Sequence, residues 1–401
     1  MLRYLLIYFL INVTLGEQDT RVVILDEGGV QGEKYWNGEF YEFYGVPYAT
    51  APKGKDRFQA PLPLEPWGGV MPAKTRSTRC FQAYLTGEGE EPIIDGVEEC
   101  LVMNLMVPKI ATEDNLVPVV VYIHSGAFSG GNGNMANFHF LAKHDVLVVS
   151  FNFRLGADPV STARHLAVAL GFEDTGSLRD LTEFYLESSS ETLVSKGHNF
   201  FLPNSTFGFA PCIENVHDGI EAFLSESPLD IISKGKNKQV AVLTGFANME
   251  GLSRSVKFED WSVKMNEKFD DFLPADLVFE DDKPKESFIK EVKDKYFKGE
   301  KVSHDTVQGY VDYFSDSMFK YSILKSAKGY AENTNRPLYL YEFSYVGELN
   351  TKHFLMDKIT GASHRDQTAY VLDFYGWTNK YSDLDTRDRM TLMWADFVKY
   401  E

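Results

Sequence analysis

Positive charge is scarce in this 401-residue chain: 40 Lys and Arg stand against 58 Asp and Glu, for a formal net charge of −18. A surface that acidic repels phosphate backbones and anionic lipid, which excludes nucleic acid as the expected partner. Cysteine is scarcer still, with three residues. Three cysteines cannot staple a disulfide scaffold, and no His and Cys fall at ligand spacing, so neither a metal nor another cofactor is expected. Past the N-terminus no apolar run approaches the ~20 residues that cross a bilayer, so no membrane span is expected. Internal repeats and low-complexity linkers are also missing, which removes solenoids and flexible arrays. What is left, at 44% hydrophobic and 24% charged residues, is the composition of a folded globular chain, at a length within reach of one large α/β domain.

Residues 1–16 read as a secretory signal. Met1-Leu2-Arg3 gives a short basic start, Tyr4 to Leu10 is almost wholly apolar, and small or polar residues follow to Gly16 and Glu17. The protein is therefore expected outside the cell. In that compartment Cys80 and Cys100 bracket a loop of about 20 residues, whose closure is worth ~3 kcal/mol. Cys212 is left over and expected buried. Asn204-Ser205-Thr206 is an N-glycosylation acceptor in an expected loop; Asn12-Val13-Thr14 matches too but falls within the signal.

Arg21 to Leu25 and Glu39 to Tyr44 read as antiparallel strands. Two near-continuous apolar runs, Leu116 to Ile123 and Val146 to Phe151, predict strands buried on both faces of a parallel or mixed sheet. Asp158 and Pro159 suit an N-cap and a first helical position. Val160, Ala163, Ala167 and Leu170 continue at helical spacing, and Gly171 closes the helix. Gln239 to Thr244 and Leu338 to Phe343 are further strands. Residues 255–332 between them are charged and helical in pattern, with Phe288, Ile289, Val292 and Tyr296 on one face. Met390, Met393, Trp394, Phe397 and Val398 mark a last helix.

Several stretches, in order, carry a resemblance. Phe43-Tyr44-Gly45-Val46-Pro47-Tyr48-Ala49 is followed by Pro52, Gly54, Arg57-Phe58, Pro61 and Pro66-Trp67. Then come Glu98-Glu99-Cys100-Leu101-Val102-Met103-Asn104-Leu105, His124-Ser125-Gly126-Ala127-Phe128 and Asn152-Phe153-Arg154-Leu155-Gly156. Together they resemble the type-B carboxylesterase and cholinesterase family, of the secreted insect kind that includes antennal and juvenile-hormone-esterase-like enzymes. The resemblance implies an α/β-hydrolase fold with a central mixed, mostly parallel sheet. It also implies a Cys80–Cys100 disulfide and small or medium lipophilic carboxylic esters as the substrate class. Two departures stand out. The family places several dozen residues, with the nucleophile strand and its elbow, between Arg-Leu-Gly and the Asp158 helix, and it continues past the Trp394 helix. Here Gly156-Ala157 abuts Asp158, so residues 17–401 read as a single, incomplete domain missing the nucleophile strand and neighbouring helices.

Ester hydrolysis on this fold needs a Ser nucleophile, a His base, an acid that orients the base, and backbone N–H groups for the oxyanion. The chain order is Ser, acid, His. The resemblance assigns the acid to Glu250 and the base to His364. Gly126 and Ala127 stand as oxyanion-hole donors. Ala127 is acceptable there at negative φ, whereas Ser125 is expected to crowd a turn that needs positive φ. No Gly-x-Ser-x-Gly occurs anywhere in the chain. Ser253 and Ser363 each have Gly two residues before them but Ser255 and Arg365 two residues after. Ser129 sits in the oxyanion loop, and none of the three follows a strand and opens a helix.

The expectation is a secreted ester-hydrolase lineage represented by an inactive, internally deleted chain. Marginal folding is expected as well, because the strands flanking the gap either keep open edges or pair with each other, residues 146–151 with 239–244. Two rivals come from another functional class: a cholinesterase-like adhesion protein, and a carrier that sequesters a lipophilic ester. Retention of both Glu250 and His364 favours loss of a block over repurposing.

Overall fold

The computed structural model describes residues 19–84, 92–156, 160–197, 211–214, 222–274, 277–353, 355, 357–372, 374 and 377–400. The signal segment, the Asp158–Pro159 helix start and the Asn204 acceptor lie outside the described residues. The strands are β1 (Thr20–Ile24), β2 (Gly29–Lys34), β3 (Phe40–Pro47), β4 (Val70–Pro72), β5 (Gln82–Tyr84), β6 (Ile93–Asp95), β7 (Val102–Pro108), β8 (Val119–Ile123), β9 (Leu147–Phe151), β10 (Val242–Ala247) and β11 (Leu338–Phe343). The helices are α1 (His139–Ala142), α2 (Val160–Ala169), α3 (Leu178–Glu187), α4 (Ser190–Gly197), α5 (Pro228–Ser233), α6 (Phe258–Glu267), α7 (Asp282–Phe297), α8 (Val307–Ser315), α9 (Tyr321–Asn333), α10 (Asp366–Leu372) and α11 (Tyr381–Tyr400).

One sheet runs β1-β2-β3-β7-β9-β8, with β4 added on β2. The sheet is mixed, as expected, but not mostly parallel: β1–β2, β2–β3, β3–β7 and β7–β9 are antiparallel, while only β2–β4 and β8–β9 are parallel. Short connections make a meander of β1, β2 and β3, which is antiparallel by construction, and the longer connections to β7 and β9 continue the antiparallel order. Parallel pairing is limited to the short β4 on β2, to β8–β9 at the far side, and to a second, two-stranded sheet in which β10 pairs β11 from Val242↔Leu338 to Ala247↔Phe343.

Residues 146–151 and 239–244 do not pair with each other. β9 lies between β7 and β8, and β10 lies beside β11. Among the described residues, β8 and β10 each keep one unpaired edge. β8 is not buried on both faces either. Val120 and Tyr122 pack into the core, while Val119, Val121 and Ile123 are 53, 56 and 66% exposed. Its apolar composition is that of an inner strand; no described helix covers its second face.

Alternation along β3 fixes two cores. Phe40 and Tyr44 face one way, with Met106, Val148, α1, α10 and α11; Tyr41, Phe43 and Val46 face the other, with Val30 and Ala73. Full burial of each such side chain stabilises by about 1.5–3 kcal/mol. The helical stretch expected over 255–332 forms a separate aromatic core from Phe258, Trp261, Phe269, Phe272, Phe297, Tyr310 and Phe314, with Phe288, Ile289 and Tyr296 packed against it as their spacing predicts. The last helix turns Met390, Trp394 and Val398 inward. The implied Cys80–Cys100 disulfide is formed. Cys212 is half-buried and free rather than fully buried.

Candidate active site

Glu250 and His364 lie 114 residues apart in sequence and meet at the C-terminal end of β10. Glu250 is 2% exposed. Its Oε1 accepts the Ala247 N–H at 2.8 Å, which leaves Oε2 to receive His364 Nδ1 at 2.6 Å. A carboxylate only accepts, so the proton of the neutral imidazole sits on Nδ1 and Nε2 presents a lone pair. The Phe319 ring lies against the imidazole at 4.4 Å. Phe319 belongs to a π-helical turn, Asp316–Lys320, between α8 and α9.

Two loops are stitched together to make this contact. Asn248 Oδ1 accepts the Ala362 N–H at 2.8 Å, and the Met249 N–H donates to Ala362 O at 2.9 Å. Gly361 is required here, since a Cβ would lie 2.2 Å from Met249 Cγ. On the other side Asp366, 1% exposed, accepts from Ser363 N at 2.7 Å, Asn350 Nδ2 at 2.9 Å and Thr351 N at 2.9 Å. His364 is thus clamped by an amide before it and a buried carboxylate after it. Asn248, Asn350 and Asp366 were not singled out in the sequence. An Asx after a strand and an Asp in a loop are ordinary solvated residues unless their partners are known.

The loop that carries Gly126 and Ala127 follows β8. Gly126 has φ +131°, Ala127 +51° and Phe128 +59°. The strain expected at Ser125 is not there; it falls on Ala127 and Phe128, whose positive φ is the condition under which Ala was not acceptable. A non-glycine residue in this region costs about 1–2 kcal/mol. The Ser129 and Gly130 N–H groups hold the turn, both donating to Gly126 O at 3.0 Å. Among the described residues, neither the Gly126 nor the Ala127 N–H donates to a protein acceptor. The preceding His124 is stacked on Phe153 at 4.1 Å, and burial holds its imidazole below the ordinary range.

None of the three serines is hydrogen-bonded to His364. Ser253 donates to Glu250 O at 2.8 Å, Ser129 to Gly126 O at 3.2 Å, and Ser363 is fully buried. Among the described residues no hydroxyl donates to His364 Nε2. No group of His, Cys, Asp and Glu that could hold a metal occurs among the described residues.

Comparison with known proteins places this arrangement. The carboxylesterase family model matches residues 19–158 and 156–401. Venom carboxylesterase-6 of Apis mellifera is 25% identical over 463 residues, covering 91% of this chain and 82% of that protein. The juvenile hormone esterase of Heliothis virescens is 25% identical over 496 residues, covering 96% of this chain and 86% of that protein. The crystal structure of the juvenile hormone esterase of Manduca sexta, with OTFP covalently attached, superposes with a TM-score of 0.80 at 22% identity, over 95% of this chain and 90% of that one. The fold is the α/β-hydrolase fold. A match that runs almost unbroken from residue 19 to residue 401 is no local coincidence of motifs, and the chain belongs to the carboxylesterase family.

Proposed function

We propose that this chain is a secreted, catalytically silent member of the family, built to receive small or medium lipophilic esters and unable to turn them over. The carrying observation is His364: Nδ1 is engaged by Glu250, while no hydroxyl among the described residues addresses Nε2. The acid–base half of a hydrolytic site then stands without a nucleophile to activate among the described residues. In this reading Glu250 is the acid, His364 the base, and Gly126 and Ala127 the oxyanion donors. A site of this kind without its nucleophile keeps at most roughly 10³–10⁴ over water.

Two features support loss of an internal block. The family model matches in two stretches that meet at residues 156–158. In the alignment to venom carboxylesterase-6, 91% of 401 residues is about 365, so about 98 of the 463 aligned positions have no residue of this chain opposite them. Extracellular placement rests on the signal-like residues 1–16. No helix among the described residues is long and apolar enough to cross a membrane.

The test is hydrolysis of a para-nitrophenyl ester by the purified chain. No turnover dependent on His364 is expected. Steady-state hydrolysis that His364→Ala abolishes refutes the reading. Genomic sequence around Ala157 settles the origin: an in-frame exon encoding Gly-x-Ser-x-Gly identifies the chain as a variant of an active enzyme.

A further inference from the structure

A second imidazole–carboxylate pair, here with a phenol hydroxyl beside it, occurs away from Glu250 and His364. Glu42, on β3, is 7% exposed. Its Oε1 accepts from Tyr44 Oη at 2.8 Å and faces His139 Nε2 at 3.2 Å; its Oε2 accepts from Arg76 at 2.9 Å. Burial pushes the carboxyl up, but the hydrogen bonds from His139 and Tyr44 and the Arg76 charge outweigh it and hold the group below the ordinary carboxylate range. An ionised carboxylate only accepts, so the imidazole proton sits on Nε2. Nδ1 is then an acceptor, and Tyr35 Oη stands 3.4 Å from it. That separation is of the kind that tightens when a ligand binds.

The Tyr35 ring belongs to a three-ring cluster, stacked on Phe40 at 4.5 Å and lying against His139 at 4.3 Å, with Phe40 and His139 themselves 5.3 Å apart. Its N–H donates to Phe40 O at 2.9 Å, and its carbonyl accepts from Gly38 N at 2.8 Å. Tyr35 lines a cleft of about 340 Å³ together with Asp19, Lys34, Trp36, Asn37 and Gly38. Trp36 is 85% exposed and offers a flat aromatic face.

We propose that Tyr35 is an acyl-acceptor site: its phenol oxygen, with His139 as base, takes the acyl group of small activated aryl esters bound in this cleft. Tyr35 Oη forms a bond to the ester carbonyl carbon, and the phenolic proton passes to His139 Nδ1. The bond from that carbon to the aryl oxygen breaks, and the aryloxide leaves with the proton held by His139. The products are O-acyl-Tyr35 and a free phenol, with no co-reactant consumed. The step uses neither Glu250 nor His364 and stands apart from the reading of that site.

The test treats the full-length chain with para-nitrophenyl acetate and follows acetylation of each tyrosine by peptide mass spectrometry. Tyr381 and Tyr400, 82 and 77% exposed, serve as internal references without this arrangement. Tyr35 is expected to label roughly 10²-fold faster than either, the contribution of a positioned base. His139→Gln is expected to bring Tyr35 down to the reference rate. Tyr35→Phe, which removes one oxygen, is expected to lower the initial nitrophenol burst by one equivalent and to leave the melting transition in place. A Tyr35 rate no greater than the references, or one unchanged in His139→Gln, overturns the proposal.

Discussion

Asp366→Asn tests what holds His364 in position. The wild-type carboxylate is buried and accepts three N–H groups, two on Oδ2 and one on Oδ1. An amide has one oxygen, and its best orientation keeps that oxygen on the Ser363 and Asn350 side. The new NH₂ then faces the Thr351 N–H, donor against donor. The reverse orientation is worse, because the Asn350 amide cannot turn to relieve it. Asn350 Oδ1 already accepts from Gly347 N at 2.8 Å and Tyr370 Oη at 2.8 Å, while its Nδ2 also donates to Tyr345 O at 3.0 Å. Two orphaned buried donors at about 1 kcal/mol or more each, plus two hydrogen bonds weakened by loss of charge, give a destabilisation of about 3 kcal/mol. Equilibrium urea unfolding followed by tryptophan fluorescence measures it. The His364 imidazole NMR signals should shift in the same variant, since the Ser363 anchor weakens. A loss below about 1 kcal/mol, within the range of an ordinary surface substitution, with unshifted His364 signals, would show that Asp366 does not position the loop.

Three further outcomes follow from the fold. Cys100→Ser should cost ~3 kcal/mol of unfolding free energy, and adding reductant to that variant should cost nothing more. Burial holds His124, His144 and His353 below the ordinary imidazole range. The unfolded chain takes up those protons first, so stability present at neutral pH should fall as pH drops below about 6.5; His124→Gln should flatten that slope in melting curves recorded between neutral and mildly acid pH. Val121→Lys places a charge on the open β8 edge, where Val121 is 56% exposed. Light scattering should show less self-association than in the parent chain, and equal scattering would mean the edge is not a pairing surface.

Much of the fold was legible, because apolar runs rich in β-branched or aromatic residues announce strands regardless of partners. Leu338–Phe343 coincides with β11 to the residue, and Val146–Phe151 with β9 to within one. The run from Leu116 starts later, at Val119, because Pro118 has no N–H to give a ladder. β2 was missed: its sequence, Gly-Val-Gln-Gly-Glu-Lys, has little strand preference of its own, and pairing with β1 and β3 imposes it. The balance of the sheet was misjudged because apolar runs report burial, not direction. Pairing of Glu250 with His364 was reachable through the ordered motifs around them. The clamp of Asn248 and Asp366 was not, since it is made of long-range contacts between residue types that are usually solvated. The φ of Ala127 was equally hidden, because an Ala carries no mark of the region its backbone occupies.

Phe374 and Met390 belong to two cores at once, packing against the larger sheet and also against the β10–β11 pair. The two sheets share no ladder among the described residues, yet both lean on the same stretch of chain near α10 and α11. Among the described residues, cooperativity between them therefore passes through this shared stretch. Lifting α11 away uncovers both interiors together, so amide protons in β9 and in β10 should exchange through one common opening event of one free energy. A protease that trims that helix would convert a local cut into global unfolding.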